Sequence, residues 1–247
     1  MNEQIDFISI NIEGDKHLSR IAKLIRERAP DVACFQEVLE KDINGIAGAD
    51  YDHYFSPMAT GFNQAAGIKV SKGILTMWKR SFALLKASAH VYFSYQDAHD
   101  NSEAPRKPNE RDRIFLVVEL ECAEHIYRIG NTHFIWTPDG SVSDEQRTAL
   151  ANLLPVLDSY NNERGMVFSG DFNAPRGGEI FTALAERYQD NIPAHVTTTI
   201  DQELHRKKGI QLVVDGLFSS PQYQVSSVEL VSGVSDHHAV IAKIARR

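Results

Sequence analysis

Short polar clusters stand beside apolar, strand-like runs along this chain, and this recurrence constrains its fold more than any other feature. Asn11 follows the apolar run 5–10, and Gln36-Glu37 follow the run 32–35. In layered α/β proteins, ligands bind beyond the ends of strands, because loops there project side chains that the sheet holds in place. We therefore expect the clusters to meet at one edge of the sheets and to form a site.

Later parts of the chain repeat the pattern. Further polar clusters beside apolar runs are Thr132-His133, Gly170-Asp171-Phe172-Asn173 and Ser235-Asp236-His237-His238. Carboxylates, asparagines and imidazoles gathered at one edge suit a hard divalent cation and an anionic substrate. An enzyme is therefore the leading hypothesis.

The remaining pattern indicates many strands and few helices. Strands are predicted at 5–11, 32–37, 73–78, 87–93, 114–120, 126–133, 166–172, 212–218, 225–231 and 238–244. Helices are predicted over 18–29, from Ser143 onward and near 178–187, whereas 50–72 lacks periodicity and is predicted as loops and short strands. A chain of 247 residues with 43% hydrophobic content can bury a large core, so we expect one domain over 1–247. Two packed sheets with helices outside would accommodate these elements.

The absence of certain signals favours a cytoplasmic protein without a membrane partner. No apolar run approaches the roughly 18 residues of a membrane helix, and the start of the sequence lacks the features of a signal peptide. The chain has only two cysteines. We expect Cys34, within an apolar strand, to be a buried free thiol, and Cys122 to form no part of a disulfide framework.

The net charge limits how nucleic acid could bind. Proteins that hold duplex nucleic acid through many phosphates usually carry a basic surface, whereas this chain has a formal charge of −7. Any nucleic-acid contact should be local, or the substrate should be an end, a single strand or a small molecule. Mild acidity serving only solubility is an equally good interpretation.

Two of the clusters carry residues suited to phosphate chemistry. In the first, Asp171 can hold a water while the Asn173 amide donates to a phosphoryl oxygen, although Asp and Asn are also common turn formers. In the second, His237 beside a carboxylate can be charged near neutral pH. If the following strand has begun, His237 and His238 point to opposite faces. We expect His237 to face the site and His238 to be a surface or core histidine.

Two strand carboxylates complete the candidates. Glu37 closes an otherwise apolar strand, where a carboxylate is costly unless it is solvated, paired or bound to metal. With Asn11 on the neighbouring strand it predicts an oxygen-ligand site for Mg²⁺. Asp215 is expected either to orient an imidazole or to lie at the surface of an edge strand. Zinc is disfavoured, because the chain has no His-Glu-x-x-His motif and no paired-cysteine motif.

Together these motifs, in this order from residue 5 to 244, resemble the endonuclease/exonuclease/phosphatase superfamily. The resemblance implies an α/β fold, a four-layer α/β/β/α sandwich of two packed mixed β-sheets flanked by helices. It also implies Mg²⁺-dependent cleavage of a phosphate ester, with Mn²⁺ as a second candidate. Glu37 would be the principal metal ligand, with Asn11 and Asp236 nearby.

The same resemblance implies roles for the other residues. Asp171 and Asn173 would position the attacking water and the phosphate. His133 and His237 would contact phosphoryl oxygens, with Asp215 orienting His237. Arg113 stands where many members of the superfamily carry a phosphate-contacting arginine, although Arg111 could serve instead, and a solvated loop arginine is nearly as good an interpretation. The formal general base stays open.

Within the superfamily, residues 197–201 before 213–215 are similar to the 5′-tyrosyl-DNA phosphodiesterase branch. The match is partial, because the tryptophan usual in that segment is missing. The Cys-Asp-Arg signature of the inositol-polyphosphate phosphatases is absent.

Substrate choice is expected to depend on loops. The charged stretch 94–113 is predicted to be a specificity loop. Basic residues that could ring the site, or could be ordinary solvated charges, are Lys69, Lys72, Arg106, Lys107, Arg176, Arg206, Lys207 and Lys208. Trp136 could stack on a base or serve packing.

The sequence thus predicts a Mg²⁺-dependent phosphodiesterase acting on a phosphate-ester substrate, with DNA or RNA expected. A phosphatase or phospholipid phosphodiesterase on the same fold is the alternative. A catalytically silent phosphate-binding module is the third hypothesis, and the complete set of motifs argues against it. Endo or exo action, metal number and oligomeric state stay open.

Overall fold

The structure, a computed structural model, describes residues 4–63, 68–95 and 112–247. Its elements in chain order are β1 Gln4–Asn11, α1 Leu18–Arg28, β2 Val32–Leu39, α2 Ile43–Ala47, β3 Tyr51–Asn63, β4 Ile68–Lys79, β5 Ala83–Phe93, β6 Arg113–Cys122, β7 His125–His133, α3 Asp144–Tyr160, β8 Val167–Asp171, α4 Glu179–Ala185, β9 Gln189–Asp190, β10 Asp215–Ser219, β11 Tyr223–Val231 and β12 Ala239–Arg246. None of the helices in these ranges is long and apolar enough to cross a bilayer.

The strands form two six-stranded sheets. The first has the order β11-β12-β1-β2-β4-β3, and the second has the order β5-β6-β7-β8-β10-β9. Both are mixed, because β1 runs parallel to β2 and β7 runs parallel to β8, while the other pairs are antiparallel. The prediction of two mixed β-sheets is confirmed.

The hydrophobic core lies between the sheets and on their outer faces. Phe7 and Cys34 of the first sheet pack in one cluster with Val118, Ile129 and Leu217 of the second. Burial of apolar surface on the inner face holds the sheets together. Cys34 is fully buried and forms no disulfide, as predicted.

Helices cover both outer faces. The apolar residues of α1, Ile21, Leu24 and Ile25, pack with α2 against the first sheet, and α3 and α4 pack against the second. The predicted layer order of helix, sheet, sheet and helix is confirmed. Ser143 caps α3 by accepting a hydrogen bond from the Gln146 amide at 3.1 Å, which fits the predicted start.

The prediction for residues 50–72 is wrong. Those described form β3 and the beginning of β4, which pair along a long hairpin. β3 lies at the edge of its sheet and is largely exposed up to Pro57. Because an edge strand tolerates proline and polar residues on both faces, β3 shows no clear apolar alternation, and its pairing with β4 supplies the strand geometry instead.

Another predicted strand begins later than expected. Residues 212–214 were placed in the strand 212–218, whereas β10 begins at Asp215. The backbone amides of Val214 and Asp215 donate hydrogen bonds to the Thr199 hydroxyl, at 3.0 and 3.1 Å. A side chain distant in sequence therefore sets the start of β10.

Gly170 allows the two strands that carry the polar clusters to approach closely. It pairs with Thr132 of β7, and a Cβ atom at this position would lie 2.0 Å from the Thr132 carbonyl oxygen. We expect Gly170→Ala to lower the free energy of unfolding by roughly 1–3 kcal/mol, the usual range for overpacking. Denaturant unfolding measures the loss. Gly45→Ala is the control, because a Cβ there meets nothing within 4 Å, and equal stability of the two variants would contradict the close-approach argument.

Candidate active site

Strand register brings the polar clusters of the second sheet side by side. Asp171, the last residue of β8, pairs with His133 of β7 on one side and with Asp215 of β10 on the other. In the first sheet, Asn11 pairs with Gln36. Asn11 Nδ2 donates a hydrogen bond to Asp171 Oδ2 at 3.0 Å, which joins the ends of the two sheets.

A cleft of about 600 Å³ opens at this joined edge. The residues predicted for the site that line the cleft are Asn11, Glu37, Arg113, His133, Asp171, Asn173, Asp236 and His237. Asp215 does not line the cleft and lies behind the His237 ring, in contact with its Nδ1 atom. The structure therefore brings the whole predicted set together.

Asp171 lies at the centre of the cleft floor and is almost fully buried. Its Oδ2 atom is 3.5 Å from His133 Nε2 and 3.8 Å from His237 Nε2. Burial raises the pKa of Asp171 above its ordinary value, because the charged form loses water, while the His237 charge opposes that rise. Asp171 is thus an oxygen acceptor surrounded by nitrogen atoms.

His237 is held as a cation. Burial alone would lower its pKa, but the carboxylates of Asp215 and Asp171 outweigh burial and raise the pKa well above the ordinary value. The Nδ1 atom of His237 lies 2.8 Å from Asp215 Oδ2, and this contact fixes the ring. His238 does not line the cleft; it is half-buried, and its backbone amide donates to the Thr199 carbonyl at 2.7 Å.

His133 differs from His237 in charge. Burial lowers its pKa to about 4, and the nearby carboxylates of Asp171 and Glu37 offset only part of that effect. The ring is therefore neutral at pH 7 and can donate one hydrogen bond. The cleft floor thus offers one neutral and one cationic imidazole beside the same carboxylate.

Asn173 and Arg113 lie on the rim of this floor. Asn173 adopts a left-handed φ of 49°, and its backbone amide donates to Asp171 Oδ1 at 2.8 Å, which closes the turn after β8. Arg113 is 7% exposed and donates through Nη1 to the His133 carbonyl at 3.4 Å. Its Nε atom is buried and has no hydrogen-bond partner among the described residues. Arg113, and not Arg111, is the arginine that the structure shows in the cleft; Arg111 lies outside the described residues.

Glu37 enters the cleft through a β-bulge. We expected β2 to end at Glu37, but the strand continues to Leu39, and its register with β4 shifts between Phe35 and Val38. Glu37 has a left-handed φ of 63°. A regular strand would alternate its side chains between the two faces, and the extra residue of the bulge re-aims Glu37 toward the cleft.

Gln36, the other residue of this bulge, links the two sheets. Its side chain is fully buried and donates to Asn131 Oδ1 of β7 at 2.8 Å. Asn131 in turn donates to the backbone carbonyls of Phe35 and Leu75. The sequence signal for this contact is a polar asparagine within a strand, and Asn131 does not belong to any of the predicted motifs.

The carboxylates in the cleft fit a hard cation. Glu37 and Asp236 offer carboxylate oxygen atoms to the cleft. Lys72 forms an ion pair with Glu37 and lies in β4, not in a loop as the sequence predicts. Burial raises the pKa of Asp236, and the His237 charge opposes that rise. The negative charges of Glu13 and Glu37 raise the pKa further. A surplus of negative charge at oxygen donors is the chemistry that a divalent cation relieves. Asn11 presents its amide nitrogen to Glu37 Oε1 at 3.5 Å, and its oxygen accepts from the Glu13 amide.

A second group of possible ligands consists of Asp171, Asp215 and His237, whose donor atoms lie within 4.8 Å of one another. The contact between His237 Nδ1 and Asp215 Oδ2 already uses one atom of each. This geometry suits an oriented imidazole better than a metal site.

Two supporting residues were not identified as functional from the sequence. Thr199 positions Asp215 through the hydroxyl contacts described above. Asp201 accepts a hydrogen bond from the Gly233 amide at 2.6 Å, and its own amide donates to the Asp236 carbonyl at 2.9 Å. Both belong to the segment 197–201, and the similarity of that segment to a branch of the superfamily is the sequence signal that points to them.

The basic residues divide into distinct groups. Lys72, Arg206 and Lys207 line the cleft. Arg176 does not, because it pairs with Asp190 and donates to backbone carbonyls. Lys208 donates to the Glu203 carbonyl. The side chains of Lys69, Arg106 and Lys107 and most of the predicted specificity loop 94–113 lie outside what the structure describes.

The sequence profile of the Endonuclease/Exonuclease/phosphatase family matches residues 8–237, nearly the whole chain. The chain belongs to this family. No curated protein matches it in sequence. Family members are generally phosphoric ester hydrolases and commonly use divalent metals, so hydrolysis of a phosphate ester is the activity class of the chain.

Solved structures of the family share the fold. An endonuclease/exonuclease/phosphatase from Bacteroides vulgatus is 18% identical, with a TM-score of 0.73, covering 99% of this chain and 100% of that chain. The mannosyl-6-phosphatase Bt3783 of Bacteroides thetaiotaomicron is 14% identical, with a TM-score of 0.70, covering 98% and 99%. Humanized D. rerio TDP2 is 15% identical, with a TM-score of 0.69, covering 98% of both chains. At these identities the likeness shows the fold and does not select a branch.

Proposed function

We propose that this family member is a Mg²⁺-dependent phosphodiesterase that acts as a nuclease on DNA or RNA. The observation that carries the proposal is the cleft floor, where buried Asp171 lies within 3.8 Å of both His133 Nε2 and His237 Nε2. The carboxylate can accept a hydrogen bond from a water, and the two imidazoles can donate to a phosphoryl group beside that water. Hydrolysis of a phosphate ester needs that arrangement.

Binding of the phosphate falls to the donors of the floor and rim. Cationic His237 and buried Arg113 would neutralise phosphoryl oxygens, and neutral His133 and the Asn173 amide would add hydrogen bonds. Arg113 suits this role because its Nε atom has no hydrogen-bond partner among the described residues. A planar guanidinium can bind two oxygens of a phosphate at once.

Asp171 would orient the attacking water. The Asn11 amide holds its Oδ2 atom and the Asn173 backbone amide holds its Oδ1 atom, so the carboxylate cannot rotate away. The water oxygen bonds to phosphorus and releases a proton, while the opposite P–O bond breaks and the departing oxygen takes up a proton. Since His237 stays cationic, it can meet the developing charge on the phosphoryl oxygens.

Glu37 and Asp236 would hold the divalent cation, with Asn11 beside them, and Lys72 would give up its contact with Glu37 when the cation binds. Bound there, Mg²⁺ supplies Lewis-acid stabilisation of phosphoryl negative charge. The oxygen-only chemistry of the two carboxylates supports Mg²⁺ or Mn²⁺ over zinc.

A phosphatase or phospholipid phosphodiesterase would use the same floor, so a substrate panel tests the proposal. The panel contains single- and double-stranded DNA, RNA, bis-p-nitrophenyl phosphate, mannose 6-phosphate, inositol phosphates and sphingomyelin, each with Mg²⁺. We expect hydrolysis of the nucleic acids and of the generic diester. Release of phosphate from monoesters alone would favour the phosphatase, and no hydrolysis of any substrate would overturn the proposal.

The loop residues Arg206 and Lys207 are expected to govern binding of nucleic acid and not chemistry. Both line the cleft, and both are exposed. The double variant Arg206→Gln/Lys207→Gln should raise KM for an oligonucleotide. It should also make KM less dependent on salt concentration, by the amount expected for the loss of about two phosphate contacts. Hydrolysis of a small diester should stay unchanged. Steady-state kinetics at several salt concentrations measure both.

Lys208→Gln is the matched control for this pair. Lys208 belongs to the same basic run but does not line the cleft. It should therefore leave KM for the oligonucleotide close to the wild-type value. Equal losses on the oligonucleotide and on the small diester in the double variant would contradict the division between binding and chemistry.

A further inference from the structure

Trp136 is a large apolar side chain exposed at the mouth of the cleft. It is 63% exposed and lines the cleft. The residues before it, Phe134 and Ile135, are fully buried, and the Phe134 amide donates to the Asp171 carbonyl at 2.8 Å. A rigid segment therefore presents the indole close to the catalytic floor, and packing does not account for its position.

A second loop, residues 201–214, lines the same cleft as Trp136. Ile210 and Leu212 are partly exposed and line the same cleft. The two loops lie close together, because a Cβ atom built on Gly140, four residues after Trp136, would lie 3.5 Å from Leu212 Cδ1. The mouth of the cleft thus combines a flat aromatic ring with aliphatic side chains.

Cations lie beside this apolar surface. Arg206 and Lys207 belong to the second loop and also line the cleft. The Ser141 amide and, among smaller effects, the Lys207 charge lower the pKa of Asp139, which is exposed three residues after Trp136. Lys207 is therefore close to the loop that carries Trp136, and Arg206 is its neighbour in sequence.

These side chains together favour a particular ligand. An indole can stack on a nucleobase or on a sugar ring, but a monosaccharide phosphate has one phosphate, which the catalytic floor already binds. Additional cations at the mouth suit the next phosphate of a polynucleotide, and aromatic rings beside cations are the usual features of single-strand binding. The net charge of −7 agrees with a local contact of this kind and not with a broad duplex surface.

We propose that Trp136, with Ile210 and Leu212, forms a stacking subsite for the nucleobase adjoining the scissile phosphate of a single-stranded end, and that Arg206 and Lys207 bind the next phosphate. The inference rests on the proposed function for the position of the scissile phosphate. It adds a recognition site for a base, which phosphate chemistry alone does not require.

Tryptophan fluorescence reads this subsite directly. The chain has two tryptophans, and Trp78 is only 2% exposed, so a ligand in the cleft can contact only Trp136. The probes are a thymidine tetranucleotide and the same backbone with abasic residues. Each is titrated into the protein in the presence of a chelator, which prevents turnover. We expect saturable quenching by the tetranucleotide and binding about tenfold weaker for the abasic chain, within the usual range for one stacked base.

Variants separate stacking from general apolar contact. Anisotropy of a labelled tetranucleotide should show about tenfold weaker binding for Trp136→Ala and near wild-type binding for Trp136→Phe, because phenylalanine also stacks. Val91→Ala, which truncates an exposed apolar side chain outside the cleft, is the control and should bind normally. Mannose 6-phosphate, which has a single phosphate and no base, should compete no better than free phosphate.

The outcomes distinguish the subsite from the proposed function. Equal binding of the thymidine and abasic chains, or stronger competition by mannose 6-phosphate than by thymidine 5′-phosphate, would overturn the subsite even if the small diester is hydrolysed. Base-dependent binding that Trp136→Ala abolishes would support the subsite even if no substrate in the panel is hydrolysed.

Discussion

Glu37→Gln is expected to abolish hydrolysis while the protein stays folded. Glu37 sits in a β-bulge at a left-handed φ of 63°, with its carboxylate in the cleft. Glutamine keeps the size and can keep the bulge, but it removes the charge that would hold a cation. We expect a loss in kcat of roughly 10²-fold or more, the usual scale for one electrostatic group, and an unchanged unfolding midpoint. Excess chelator should produce a similar loss in the wild-type enzyme.

Glu40→Gln provides the control, since Glu40 is an exposed carboxylate just beyond the same strand. It should be as active as the wild type. Full activity in chelator, or a Glu37→Gln enzyme near the wild-type rate, would refute the cation assignment. Tight stoichiometric zinc in the purified protein would refute the choice of Mg²⁺.

Loss of either Asp171 or His237 should reduce kcat by roughly 10²-fold or more, since each acts on the reacting phosphate. Asp171→Asn keeps the size and can keep the contact from Asn11, but it removes the negative charge and the acceptor of the Asn173 amide. His237→Ala removes the buried cation. Steady-state kinetics on the oligonucleotide measure both losses in kcat, and a wild-type kcat for Asp171→Asn would contradict the assignment.

Asp215→Asn is expected to be less harmful than His237→Ala. Asp215 lies behind the ring and contacts it at 2.8 Å. The change would disturb the orientation and charge of the imidazole but leave the ring in the cleft. A larger loss for Asp215→Asn than for His237→Ala would show that Asp215 acts on substrate or metal itself.

Local sequence rules identified most of the site. The polar clusters stand beside strands, and the register of β7, β8 and β10 places His133, Asp171 and Asp215 in one row. The layered fold followed from the apolar runs together with the family resemblance. Both depend on short segments of sequence, which is why they could be predicted.

Features that depend on pairing between distant segments could not be predicted. The bulge at Glu37 exists because β2 and β4 pair out of register there. The start of β10 depends on the Thr199 hydroxyl, and the position of Asp236 depends on Asp201. No periodicity within a strand encodes such contacts.

The sequence also could not predict which basic residues line the cleft. Arg176 and Arg206 are both arginines in polar segments of the sequence. Only the fold shows that Arg176 pairs with Asp190 while Arg206 faces the cleft. Composition gives the number of charges, and tertiary structure decides which of them meet a ligand.

A double-mutant cycle on Asp171 and His237 tests the central claim most directly. The kcat for hydrolysis of a single-stranded oligonucleotide with Mg²⁺ is measured for the wild type, Asp171→Asn, His237→Ala and the double variant. If both residues act on one phosphate, the double variant should lose much less than the product of the single losses, because residues that work as a unit are not additive. A loss in kcat for the double variant that equals the product of the two single losses would contradict the account. A double variant with the wild-type kcat would contradict it as well.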